Sequence, residues 1–134
     1  LLKDDAARAK GLAWWKGHVS HHWKEVRIRS VEAGVTAELS EGDVFEIRAM
    51  VETGTIPSED VAAQVYEGLI DPLGNIIDPQ IVDMQRRGLG DDDVVEFIAE
   101  VRSRGSGRHG YTVRIVPYHS DLTNPMAMGL VRWA

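Results

Sequence analysis

The 134-residue sequence has no cysteine, which excludes disulfides, thiolate nucleophiles and thiolate metal sites together and fits a cytoplasmic setting. It has no apolar run of membrane-spanning length and no recognisable secretion signal. An excess of basic residues is also missing. Against 21 acidic residues stand 15 lysines and arginines, a net charge of −6. Neither nucleic acid nor a membrane surface is therefore an expected partner. The sequence opens at Leu1 with "LLKDDAARAKG", as though inside a helix, and is expected to be a piece of a longer chain.

What is present is ordinary for one globular domain: 43% hydrophobic and 27% charged residues, enough to bury a core. From Asp4 to Lys24 the pattern predicts an amphipathic helix. Leu12, Trp15, Val19 and Trp23 recur at three- and four-residue spacing as one apolar stripe. Asp4 and Asp5 suit its N-terminus. Trp14 lies beside the stripe, where it can meet a neighbouring domain. Leu12, Trp14, Trp15, Val19 and Trp23 are the candidate docking residues, with the stripe facing either the rest of this chain or a catalytic body beyond it.

From Val26 the period changes to two. Val26 and Ile28 alternate with arginines. Val35, Ala37 and Leu39 follow Gly34, and Phe45, Ile47, Ala49 and Val51 mark a strong strand. Val61, Ala63 and Val65 continue the series, "DPLGN" is a turn, and Ile76 to Met84 reads as an edge. "RRGLGDDD" reads as a polar break. Val94 to Pro117 reads as a long hairpin around "SRGSGRHG", and "GLVRWA" as a closing strand. About seven or eight short strands at turn spacings of roughly ten residues, without interleaved helices, predict a mainly β fold. The expected architecture is an antiparallel β-sandwich, immunoglobulin-like, with one N-terminal helix; a small barrel is the rival. Residues 1–25 are assigned to a linker or docking helix and 26–134 to the sandwich.

The pattern yields no catalytic, cofactor or metal site. His18 and His22 are four residues apart on the helix, with His21 and Glu25 nearby, but a zinc ion needs three or four ligands and a packing role is favoured. Arg102 to Tyr111 superficially resembles a phosphate cradle, yet it joins strand to strand where such loops lead into a helix. Asp91, Asp92 and Asp93 lack calcium-loop spacing and read as a solvated turn. Ser20 and His21 are merely adjacent. His109 and His119 would stand roughly 30 Å apart across an extended strand. Of the tryptophans, Trp15 and Trp23 are expected inside, and Trp133 is expected to anchor the last strand. An exposed tryptophan would suit stacking on sugar rings.

Four segments carry a resemblance that spans nearly the whole chain: "LAWWKGHVSHHWKEVRI" (Leu12 to Ile28), "IPSEDVAAQVYEG" (Ile56 to Gly68), "SGRHGYTVRIVPYHSDL" (Ser106 to Leu122) and "MGLVRWA" (Met128 to Ala134). In this order they resemble the C-terminal end of bacterial and archaeal α-glucan phosphorylases of the shorter, non-animal type. The resemblance implies a parent glycosyltransferase that cleaves α-1,4-glucan with phosphate and releases glucose 1-phosphate. It implies pyridoxal phosphate on a lysine of upstream α/β domains. Lys3, Lys10, Lys16 and Lys24 all fall in the helical segment, so no catalytic residue is carried over. The implied role is a non-catalytic appended β-domain, inactive alone, whose partners are the catalytic domains of its own chain. Carbohydrate binding is the alternative, and self-association is expected if the docking face lies bare.

Overall fold

Strands with an apolar residue at every second position need a second apolar layer to cover them, and here two sheets cover each other. The computed structural model describes residues 3–33, 42–89, 94–104 and 107–134. Helix α1 (Lys3–His22) runs into a 3-10 turn at Trp23–Glu25, followed by β1 (Arg27–Ala33) and β2 (Val44–Glu52). After a 3-10 turn at Ser58–Asp60 come β3 (Val61–Ile70), β4 (Ile76–Asp83), β5 (Gln85–Leu89), β6 (Val94–Arg102) and β7 (His109–Pro117). A last 3-10 turn, Pro125–Met128, precedes β8 (Arg132–Trp133).

One sheet has the order β1-β2-β6-β5 and the other β4-β3-β7-β8, with every pairing antiparallel. This is the strand order of an immunoglobulin-type sandwich with one additional edge strand beside its three-stranded sheet. Phe45, Ile47, Ala49 and Val51 of β2 and Val95, Phe97, Ala99 and Val101 of β6 face Val61, Ala63 and Val65 of β3 and Val113 and Ile115 of β7 in one core. The chain crosses between sheets at Met84, whose buried side chain and backbone N–H bond to the Ala63 carbonyl fix the passage.

Two expectations fail, for identifiable reasons. Val94 to Pro117 is not a hairpin: β6 and β7 belong to opposite sheets. A crossing and a hairpin place the same alternating residues inward, so periodicity cannot separate them. The expected break "RRGLGDDD" also contains strand β5, which pairs with β6 through Leu89 and Gln85 with a bulge between Arg86 and Gly88. Its arginines sit on a sheet edge, where charge is favoured because it discourages pairing with other chains.

Smaller differences follow from local packing. The helix ends at His22 rather than Lys24 because the last turn tightens to 3-10 form. Ile98, outward by phase, is nevertheless buried; its cross-strand neighbours are Arg48 and Gln85, long enough to shield it. The closing strand shrinks to Arg132–Trp133. The expected strand at Val35, Ala37 and Leu39 and the Asp91–Asp93 turn lie outside the described residues, as do the side chains of Asp4 and Asp5.

Candidate functional site

The helix stripe packs inward. Trp15, Val19 and Trp23 are buried in the same core as the sheets, and Leu12 packs against it half-buried. Trp15 also meets the ring of His119 at 4.7 Å. Trp14 points away: it is 69% exposed and lies flat against His18, with ring centroids 5.0 Å apart. The ladder continues through His22, 4.6 Å from His18. Helical spacing puts positions 14, 18 and 22 on one face, so α1 carries an aromatic outer face as well as its buried stripe.

The end of that ladder is tied to the sandwich by Glu25. Its carboxylate accepts the Thr55 backbone N–H at 2.9 Å and the Thr55 hydroxyl at 2.8 Å, and meets His22 Nδ1 at 2.6 Å. The Thr55 amide, then the hydroxyl, then His22 hold the Glu25 carboxyl down from 4.5 to about 2. Gly54 makes the approach feasible. It adopts φ +60°, and a Cβ there would lie 2.6 Å from the Glu25 carboxylate. His22 and Glu25, considered above as metal ligands, are thus engaged with one another. Among the described residues no group of three metal-ligating side chains forms.

A second polar cluster was invisible in the sequence. Glu67 of β3, almost wholly buried, meets His109 Nδ1 at 2.5 Å, and His109 Nε2 stands 3.2 Å from Ser103 Oγ. Gln80 of β4 donates to Glu67 Oε2 at 2.6 Å and to the Arg102 carbonyl at 2.8 Å. The contacts form a ring linking the end of β6 to β7, β3 and β4, and so one sheet to the other. Serine, histidine and glutamate in line have the order of a charge-relay triad. The serine, however, is only 2% exposed. A cavity of about 230 Å³ borders Glu67, His109 and Arg104 but not Ser103. These residues are up to 42 positions apart in sequence, and no local motif links them.

The Arg102–Tyr111 segment does not gather its arginines. Arg102 and Arg104 donate to the carbonyls of Gly42 and Asp78, in different parts of the molecule. His109 and His119 lie near opposite ends of β7, in separate environments, one in the buried ring and the other against Trp15.

The outer face of the β4-β3-β7-β8 sheet carries one continuous cross-strand row. Asp83, Gln64, Arg114 and Trp133 are register partners on successive strands. Gln64 donates to Asp83 at 2.9 Å and accepts from Arg114 Nε at 2.7 Å; the Arg114 guanidinium lies 5.6 Å from the Trp133 ring. In the next row, Tyr66 stands between Ile81 and Thr112 and meets Trp133 edge-to-face at 5.5 Å.

An immunoglobulin-type domain with an appended helix is a class that hosts many functions. Residues 23–134 match the family described as the glycogen phosphorylase C-terminal domain, and the chain belongs to that family. It is 30% identical over 131 residues to a glycogen phosphorylase of Mycobacterium tuberculosis, covering 97% of this chain and 15% of that protein. It is 24% identical over 137 residues to a maltodextrin phosphorylase of Thermococcus litoralis, covering 99% of this chain and 16% of that protein. The chain therefore spans about one sixth of the length of the curated relatives it matches.

Glycogen phosphorylases are pyridoxal phosphate enzymes. The lysines with described side chains do not fit that group: Lys10, Lys16 and Lys24 stand exposed on α1 and the turn after it. No helix of the described residues is long and apolar enough to cross a membrane.

Proposed function

We propose that this chain is a non-catalytic interaction domain of a cytoplasmic α-1,4-glucan phosphorylase, and that α1 seats it on the catalytic domains of its parent. The parent's reaction would be phosphorolysis of α-1,4-glucan to glucose 1-phosphate, with pyridoxal phosphate and its lysine held outside residues 1–134. In this reading residues 1–25 are the docking segment, which contains α1, and 26–134 the sandwich domain. The observation that carries the reading is the two-sidedness of α1. Leu12, Trp15, Val19 and Trp23 fix the helix to its own sandwich, while Trp14 and His18 present an aromatic ledge outward. An exposed tryptophan stacked on a histidine is suited to a partner surface, because it buries a large area with little loss of side-chain freedom. The burial of Ser103 supports a structural role for the serine–histidine–glutamate array.

The test is hydroxyl-radical footprinting of Trp14 in the full-length phosphorylase and in the 134-residue chain alone. The docking reading expects strong protection in the full chain, exposure in the isolated domain, and concentration-dependent self-association of the latter that Trp14→Ala removes. Equal labelling in both contradicts docking through this face.

A further inference from the structure

We propose that the outer face of the β4-β3-β7-β8 sheet is a glucan-binding platform, with Trp133 and Tyr66 as its aromatic floor and Asp83, Gln64 and Arg114 as its hydrogen-bonding rail. The proposal rests on the phosphorylase reading above, since both named relatives act on an α-glucan by their names. The chemistry is local. A pyranose offers an apolar C–H face and a rim of hydroxyls. It is recognised by a fixed aromatic ring beside planar polar groups that accept and donate in pairs.

The row supplies both parts. Trp133 is 44% exposed, yet its ring is fixed by Tyr66, which meets it edge-to-face, and by the Arg114 guanidinium, which lies over one face of the indole and leaves stacking on a sugar to the other. Asp83, Gln64 and Arg114 hold one another by hydrogen bonds of 2.9 and 2.7 Å, so little side-chain freedom remains to be lost on binding. Adjacent strands lie about 4.8 Å apart, close to the separation of equatorial hydroxyls on alternate carbons of a pyranose ring. A protein partner fits less well. Stable protein interfaces are depleted of charge at their centre, whereas Arg114 stands on the inner strand β7 of this face. Trp14 lies on α1 and takes no part in the Asp83–Gln64–Arg114–Trp133 row, so docking and glucan binding rest on different residues.

Native electrophoresis of the 134-residue chain through gels containing glycogen reads the proposal, with dextran gels as the control polysaccharide. Retardation by glycogen and not by dextran is expected, with at least a tenfold loss of affinity in Trp133→Ala and a severalfold loss in Asp83→Ala. Relative to its own mobility in a glycogen-free gel, Trp14→Ala should be retarded as much as the wild type. Asp83→Ala guards against misfolding, because it removes an exposed edge carboxylate and leaves the Tyr66–Trp133 pair in place. No retardation of the wild type, equal retardation by dextran, or unchanged binding in both platform variants overturns the platform. So does protection of Trp133 from radical labelling in the full-length enzyme without glucan, which would show the face covered by protein. A glucan-blind domain in an enzyme that still releases glucose 1-phosphate defeats the platform alone. An enzyme with no phosphorolysis defeats the reading beneath it.

Discussion

Glu67 and His109, 42 residues apart in sequence, meet at 2.5 Å between the two sheets, and each is nearly closed off from water. Their ring with Gln80 and Ser103 closes the end of the sandwich where β6 hands the chain to β7. Removing one partner strands buried polar atoms of the other, at a cost of about 1–3 kcal/mol. His109→Ala and Gln80→Ala are each expected to destabilise the fold. Their double mutant should lose less than the sum, with a coupling of at least about 0.5 kcal/mol. Urea denaturation of the four proteins measures this; strict additivity would mean the ring does not act as a unit.

The Glu25 staple makes a pH prediction with a definite sign. Its folded-state carboxyl lies at about 2 against an ordinary 4.5, so acid protonates the unfolded chain first. The stabilisation is complete above pH 4.5 and disappears as pH falls towards about 2. Glu25→Gln should therefore flatten the stability profile across that window. Denaturant midpoints followed through the acid range test it. An undiminished slope in the variant would assign the acid sensitivity to other carboxylates.

Gly68 marks the bulge between β3 and β4. A Cβ there would lie 2.6 Å from the Ile77 carbonyl oxygen, which is backbone and cannot rotate aside. Gly68→Ala is expected to cost about 1–3 kcal/mol through overpacking. A thermal midpoint within error of the wild type would show that the bulge relaxes freely.

Burial separates folding from docking. Ile115 is fully buried at the sandwich centre, and Ile115→Ala should cost about 2–5 kcal/mol. Trp14→Ala should stay within about 0.5 kcal/mol of the wild type, because its indole contributes little to this chain's own core. Comparable losses in the two would place Trp14 in the fold and remove it as a contact for another domain.

The sandwich was legible because Phe45, Ile47, Ala49 and Val51, and later Val95, Phe97, Ala99 and Val101, alternate cleanly, and burial follows that alternation. Connectivity was less legible. A glycine-rich link after Arg102 fits either a hairpin or a crossing, and β5 is too polar to announce itself as a strand. The helix stripe at Leu12, Trp15, Val19 and Trp23 could be read, but not which surface covers it. The buried ring and the Asp83–Gln64–Arg114–Trp133 row depend on register between strands distant in sequence. No single segment carries that information.

The central claim is that this domain supplies contacts and leaves the chemistry to the rest of its parent. The most direct measurement is glucose 1-phosphate formed from maltoheptaose and inorganic phosphate by the purified 134-residue chain, beside the full-length enzyme. The account predicts product from the full-length enzyme and none above the blank from the domain. Sustained release by the domain alone would contradict it.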